Sequence, residues 1–282
     1  MEHALAELPL ALFTTIGAVG VGSFIYLCLA IFTHSFGEEG LKRLDKFTLV
    51  PLVLLIVATI CAFFHLSQPL HAPFILLHIL SPMTIEILVF GVVVGLIVVY
   101  LLLAKFNKLP AVLRKVLIAL IALGAIAVGI FMGLAYKVST IPVWAAPHTP
   151  IMMVGFVLAG GTSLGLLVLK LAKLEPLSQG FKLATVIVML IGLALSAYGV
   201  FSLYTMAQGI TTHIANGAEM AAEMFPCVVV FGICIALSAI LNLIALFKNS
   251  NVALLSVSVI LALVGIFAAR LVFYGLQISI AL

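Results

Sequence analysis

Apolar residues run along this chain in eight long blocks, separated by short stretches in which polar residues gather. The blocks fall at Pro9–Phe32, Phe47–Phe64, Pro82–Ala104, Leu113–Tyr136, Ile151–Leu169, Phe181–Ala207, Pro226–Phe247 and Val252–Leu282. About 20 apolar residues cross the hydrocarbon of a bilayer as a helix, and each block is close to or above that length. Backbone groups in lipid must bond within their own segment, so the blocks are expected to be helices. The period-2 alternation of an outer-membrane barrel is absent. The longest gap is the 18 residues between Ala207 and Pro226, too short to fold into a soluble domain. The pattern predicts an all-α integral membrane protein: an eight-transmembrane-helix bundle forming a single polytopic membrane domain over residues 1–282.

Charge adds direction to that pattern. Eleven of the 13 Lys and Arg residues lie in the first, third, fifth and seventh connections: Lys42, Arg43, Lys46, Lys105, Lys108, Arg114, Lys115, Lys170, Lys173, Lys182 and Lys248. The other side holds only Lys137, and Arg270 lies inside the last block. Basic connections stay on the cytoplasmic side, which puts both termini on the extracytoplasmic side. The net charge of +4 is therefore a topology signal and not a nucleic-acid footprint. With 8% charged residues and a mean hydropathy of +1.42, a soluble fold is excluded. The leader carries Glu2 and Glu7 but no Lys or Arg, so the first block reads as a span and not as a cleavable signal peptide.

The four cysteines, Cys28, Cys61, Cys227 and Cys234, form no Cys-x-x-Cys pair, and no disulfide framework, zinc site or iron–sulfur cluster is expected. Small residues cluster as Gly17, Gly20, Gly22 and Ser23 in the first span and Gly155, Gly160, Gly161 and Gly165 in the fifth. Such faces let membrane helices approach closely, so they read as packing surfaces. In the second connection, Pro69 and Pro73 prevent a simple helical continuation, and Phe74–Leu80 is a short apolar piece suited to the membrane interface.

Six of seven histidines (His3, His65, His71, His78, His148 and His213) fall on the outer half, and only His34 on the other. None sits mid-span opposite another, as the two axial ligands of a b-type haem would require. His65 closes the second span, and Glu86 enters the third about one turn below the same surface. An acidic residue inside a span is costly and by default a functional hypothesis. A quinol bound there needs a hydrogen-bond partner for its hydroxyl and a group to take its proton. An imidazole at His65 can do both, and Glu86 can relay a proton outward. The plainer alternative makes His65 an interfacial histidine and leaves Glu86 bonded to a neighbouring helix. Arg270, in the outer part of the last span, is expensive unless it snorkels or pairs. Glu86, the acidic residue well inside a span, is its expected partner. Trp144, among Pro142, Pro147 and Pro150, reads as a belt anchor on a rigid outer connection. Gln208, Thr211, His213, Asn216, Glu219 and Glu223 read as a polar outer connection between the sixth and seventh spans.

Several ordered pieces of this sequence resemble one known family. They are Glu7-Leu8-Pro9-Leu10 with Phe13-Thr14, His65-Leu66-x-x-Pro69, Ser81 with Glu86-Ile87, Thr140-x-Pro142-x-Trp144, Gly160-Gly161, and Arg270-x-Val272-Phe273-Tyr274-Gly275-Leu276. Their order and their positions relative to the spans are similar to those of the membrane anchor subunit of anaerobic dimethyl sulfoxide reductase. The resemblance covers most of the chain. It implies a protein of a bacterial cytoplasmic (inner) membrane that oxidises menaquinol near the outer face. It also implies electron transfer to a four-cluster iron–sulfur subunit and then to a molybdopterin catalytic subunit. The chain itself would carry no haem, iron–sulfur cluster or molybdopterin, and would be catalytically incomplete alone. By the same resemblance, His65 is the menaquinol-associated histidine with Glu86 beside it. Together with Arg270, these are the expected quinol-binding residues.

Three other readings stand beside this one. A polysulfide-reductase-type quinone anchor also has eight spans without haem. A small-solute transporter would need a polar path at the midplane, where the spans offer little beyond Ser196, Tyr198 and Asn242. A haem-bearing anchor would show itself in a visible spectrum.

Overall fold

The structure is a computed structural model, and it describes residues 2–65, 74, 77–174, 177–213, 215–248 and 251–280. Pro69, His71 and Pro73, and the side chains of Glu2 and His3, lie outside the described residues. The helices in chain order are α1 (Glu2–Ala6), α2 (Leu8–Thr33), α3 (Glu38–Phe47), α4 (Leu49–His65), α5 (Pro82–Lys105) and α6 (Ala111–Leu134). There follow α7 (Pro142–Ala145), α8 (His148–Leu171), α9 (Gln179–Gln208), α10 (Gly217–Phe247) and α11 (Val252–Gly275). Among the described residues, eight helical runs are long and apolar enough to cross a membrane, with α3 and α4 counted as one. The eight expected spans are therefore present, and no strand occurs among the described residues.

Three boundaries differ from the sequence reading, each for a local reason. The first basic connection is itself helical. Glu38 and Glu39 stand in the first turn of α3 and Lys46 in the last, as the helix dipole favours. The break between α3 and α4 falls where Pro51 crowds the carbonyl four residues before it, that of Phe47. The seventh span starts at Gly217 and not at Pro226, because Asn216 caps it: its side chain accepts from Ala218 N at 3.1 Å and donates to Glu219 Oε1 at 3.0 Å. Pro226 then sits inside α10. The final span ends at Gly275, and the segment beyond it is held by a bond from Ile280 N to Thr140 O at 2.9 Å.

Two helices form the centre. The most apolar windows of α2 and α8 are 78% and 89% buried, against 22% for the second span and for α5. The small residues explain this. A Cβ placed on Gly22 would lie 2.0 Å from Val157 O, and one on Gly161 would lie 2.3 Å from the backbone carbonyl carbon of Gly22. The two backbones cross with no room for any side chain, which maximises dispersion contact where lipid supplies no hydrophobic drive. The glycines of the first and fifth spans are thus packing surfaces: Gly22 and Gly161 for each other, Gly17 for Met132 of α6, Gly20 for Leu55 of α4 and Gly155 for Ser196 of α9.

Polar side chains knit the surrounding helices. Ser163 (α8), Ser238 and Asn242 (α10) and Ser258 (α11) form one buried network. Ser163 Oγ lies 2.9 Å from Ser238 Oγ, Asn242 Nδ2 donates to Ser163 Oγ at 3.0 Å, and Ser258 Oγ donates to Asn242 Oδ1 at 2.8 Å. Ser196 bonds back to Leu193 O at 3.0 Å within α9. The mid-span polar groups Asn242 and Ser196 are therefore consumed by packing, and neither offers a polar path.

Candidate functional site

Apart from Thr84 near its start, the buried residues of α5 form one stripe: Glu86, Phe90, Val93, Ile97 and Tyr100, spaced by three and four residues. Phe90 fixes which way the stripe faces. Its ring meets the edge of Phe13 on α2 at a centroid distance of 5.2 Å, so Glu86, one turn nearer the helix start, also turns inward. Glu86 is 8% exposed. It enters the protein one turn after Pro82, at the end of the bundle opposite the lysines.

At the same end, the turn after α6 joins α7, α8 and α11 in building a cage around Arg270. The guanidinium is fully buried and stands 4.3 Å from the ring centroid of Phe273, 4.6 Å from that of Tyr274 and 4.9 Å from that of Tyr136. Its Nη2 donates to Tyr274 Oη at 2.6 Å, and its Nη1 reaches Met153 Sδ at 3.6 Å. Nε has no hydrogen-bond partner among the described residues. Trp144 stacks on Phe273 at 4.8 Å and an interplanar angle of 6°, while its Nε1 donates to Phe273 O at 2.9 Å. Tyr136 and Tyr274 are hydrogen-bonded through their hydroxyls. Trp144, read from sequence as a belt anchor, is in fact a buried wall of this cage.

Desolvated cation–π contacts are worth about 2 kcal/mol or more, so three rings go some way towards holding a charge in a place where it is otherwise costly. They do not neutralise it. Glu86 lies close enough for its charge to act on Arg270 and on both tyrosines. It stops short of an ion pair with the guanidinium among the described residues. The structure thus brings Glu86 and Arg270 to one region of the bundle but gives Arg270 aromatic neighbours in place of a carboxylate clamp.

His65 is the last residue of α4 and is 38% exposed at its side chain. Its Nδ1 lies 3.3 Å from Glu7 Oε2, at the start of α2. The two are close but make no hydrogen bond. His65 and Glu86 stand at the same end, His65 at the surface and Glu86 within, and no hydrogen bond or ion pair joins them among the described residues. Glu7 was missed as a candidate from sequence. The signal lay in its place at the outer start of the first span, level with the outer end of the second. His148, another outer histidine, is bound to Val143 O at 2.9 Å and serves the turn into α8. Among the described residues no group of three or more His, Cys, Asp or Glu could hold a metal ion.

Residues 1–276 match the family model described as DMSO reductase anchor subunit (DmsC). The chain belongs to the DMSO reductase anchor subunit family. Three curated relatives agree over nearly full lengths. The C subunit of the anaerobic dimethyl sulfoxide reductase of Escherichia coli (strain K12) is 29% identical, with 98% of this chain and 96% of the relative covered. Its counterpart from Haemophilus influenzae is 28% identical, covering 99% and 98%. The anaerobic dimethyl sulfoxide reductase subunit YnfH of Escherichia coli is 26% identical, covering 100% and 99%. The family resemblance read from the ordered motifs is borne out, and with it the role of a multi-span DMSO reductase membrane anchor.

Proposed function

We propose that this anchor oxidises menaquinol at the end of the bundle that carries His65, Glu86 and Arg270, and that this end faces outward in a bacterial cytoplasmic membrane. The orientation rests on the basic residues, which gather at the opposite end. Electrons leave to a four-cluster iron–sulfur subunit and then to a molybdopterin subunit, which carries the terminal reduction. The two protons of the quinol are released on the outer side.

The observation that carries this reading is the state of Arg270. A fully buried guanidinium whose Nε has no partner among the described residues, walled by aromatic rings and within the field of a buried carboxyl, suits a flat ring bearing hydroxyl or carbonyl oxygens. Arg270 orients a quinone oxygen and Glu86 takes a proton from the opposite hydroxyl or from His65. With its proton on Nδ1, the nitrogen that faces Glu7, His65 leaves Nε2 to accept a proton from the quinol. Family membership favours this over the polysulfide-reductase type. The engagement of Asn242 and Ser196 in packing leaves little for a solute path.

The test is His65→Arg in the assembled complex. Quinol-dependent reduction should fall to background while the complex still assembles and still accepts electrons from an artificial donor. Normal quinol turnover in that variant would remove His65 from the mechanism. Vesicle measurements add a second check: with protons and electrons leaving on one side, turnover should move no net charge, and an electrogenic signal would argue against an outward site.

A further inference from the structure

At the lysine-rich end, α3 and α4 diverge from α5 and leave a groove of about 430 Å³. Its walls are aliphatic, from Leu49 and Leu52 on one side and Val98 and Leu101 on the other. Its rim carries Lys42, Lys46 and Lys105, all exposed. Asp45 also borders it, but that carboxylate is already engaged: Oδ1 accepts from Tyr100 Oη at 2.6 Å and is paired with Arg114. Asp45 and Arg114 cancel, so the charge facing the groove is that of three ammonium groups above a greasy cleft. A second apolar helix would leave those lysines unsatisfied, and a neutral lipid would leave them without a counter-charge. A phosphate on a diacyl tail matches both parts.

We propose that this groove is a binding site for one anionic phospholipid of the leaflet on the lysine-rich side. The phosphate sits among Lys42, Lys46 and Lys105, and an acyl chain lies between Leu52 and Leu101. Basic pockets between spans at that side of a membrane bind acidic head groups by this chemistry. The lysine stems line the mouth while their charged ends reach the head-group level.

Native mass spectrometry of the full chain in detergent tests this, using phosphatidylglycerol and phosphatidylcholine of identical acyl composition as probes. The chain should retain phosphatidylglycerol in preference, at one molecule per chain. The preference should weaken about fivefold for each lysine exchanged in the series Lys42→Gln, Lys46→Gln, Lys105→Gln. The corresponding Lys→Arg exchanges should keep it. Leu101→Trp, which fills the groove without touching its charge, should displace the lipid and gives a reading should the triple Gln chain fail to fold. Equal retention of the two lipids overturns the proposal. So does a preference that survives both the Gln exchanges and Leu101→Trp. A concentration-dependent dimer abolished by Leu101→Trp would assign the groove to a second copy and overturn it as well.

Discussion

Arg114 and Arg270 stand at opposite ends of one bundle, both buried in largely apolar surroundings, and they are stabilised in different ways. Arg114 meets Asp45 in an ion pair, with Tyr100 Oη 3.3 Å from its Nη1 and bonded to the same carboxylate. Opposite charge and hydrogen bonds are supplied together, and the cluster ties α3, α5 and α6 at one end. Arg270 has a hydroxyl, a thioether and three ring faces, but no carboxylate in contact among the described residues. A pair that neutralises itself is structural. Both guanidiniums leave Nε without a hydrogen-bond partner among the described residues, so the difference lies in the charge: a cation held by rings and not by a carboxylate retains the capacity to bind something else. The α5 stripe shows the contrast within one helix: Tyr100 at one end is hydrogen-bonded to Asp45, while Glu86 at the other makes no ion pair with Arg270 among the described residues.

The largest effect should come from breaking the self-contained pair. Asp45→Ala leaves Arg114 buried and uncompensated, and should lower unfolding stability in detergent by about 3–5 kcal/mol. Adding Arg114→Leu should recover most of that loss, since the charge itself is then gone. Arg270→Met should behave in the opposite way. Quinol-dependent turnover of the complex is expected to fall about a hundredfold, the scale of one lost oriented donor. Stability in the same unfolding assay should stay close to that of the parent, because an incompletely satisfied charge has been removed. An Arg270→Met loss as large as that of Asp45→Ala would erase the distinction. Tyr274→Phe sharpens it further: it takes away the one oxygen that Arg270 Nη2 holds, and a cost of about 1–3 kcal/mol is expected by thermal unfolding. Ser163→Ala is the small-effect reference, since membrane hydrogen bonds average about 0.6 kcal/mol and the rest of its network can rearrange.

Legibility followed the range of the forces. The spans could be read because a bilayer constrains each helix by itself, through length and apolarity. Glu86 and Arg270 could be singled out because a charge inside a span is conspicuous against such a background. Their pairing could not be settled, because the angle at which α5 and α11 present side chains depends on α2, α6 and α8 between them. Asp45 shows the reverse failure. Nothing in the sequence sets it apart from the other charges of a basic connection, and only the folding of α3 against α5 buries it. Ser163, Ser238 and Ser258 were equally silent, since a serine in a span can bond its own helix or another with no change in sequence pattern. Glu219 and Glu223 read as loop residues because Pro226 looked like a helix start, yet the cap at Asn216 lies further upstream.

Order along the chain alone determined eight apolar segments long enough to cross a membrane, the end at which positive charge collects, and a family likeness that runs over nearly the whole length. Those properties arise from each segment's own exchange with lipid and water. Tertiary packing decided which buried cation is neutralised and which is caged, that Glu7 faces His65, and that a lysine-rimmed groove opens beside α5. Such features need side chains from helices far apart in sequence to meet at one depth and one angle, and close glycine crossings such as Gly22 against Gly161 set that geometry.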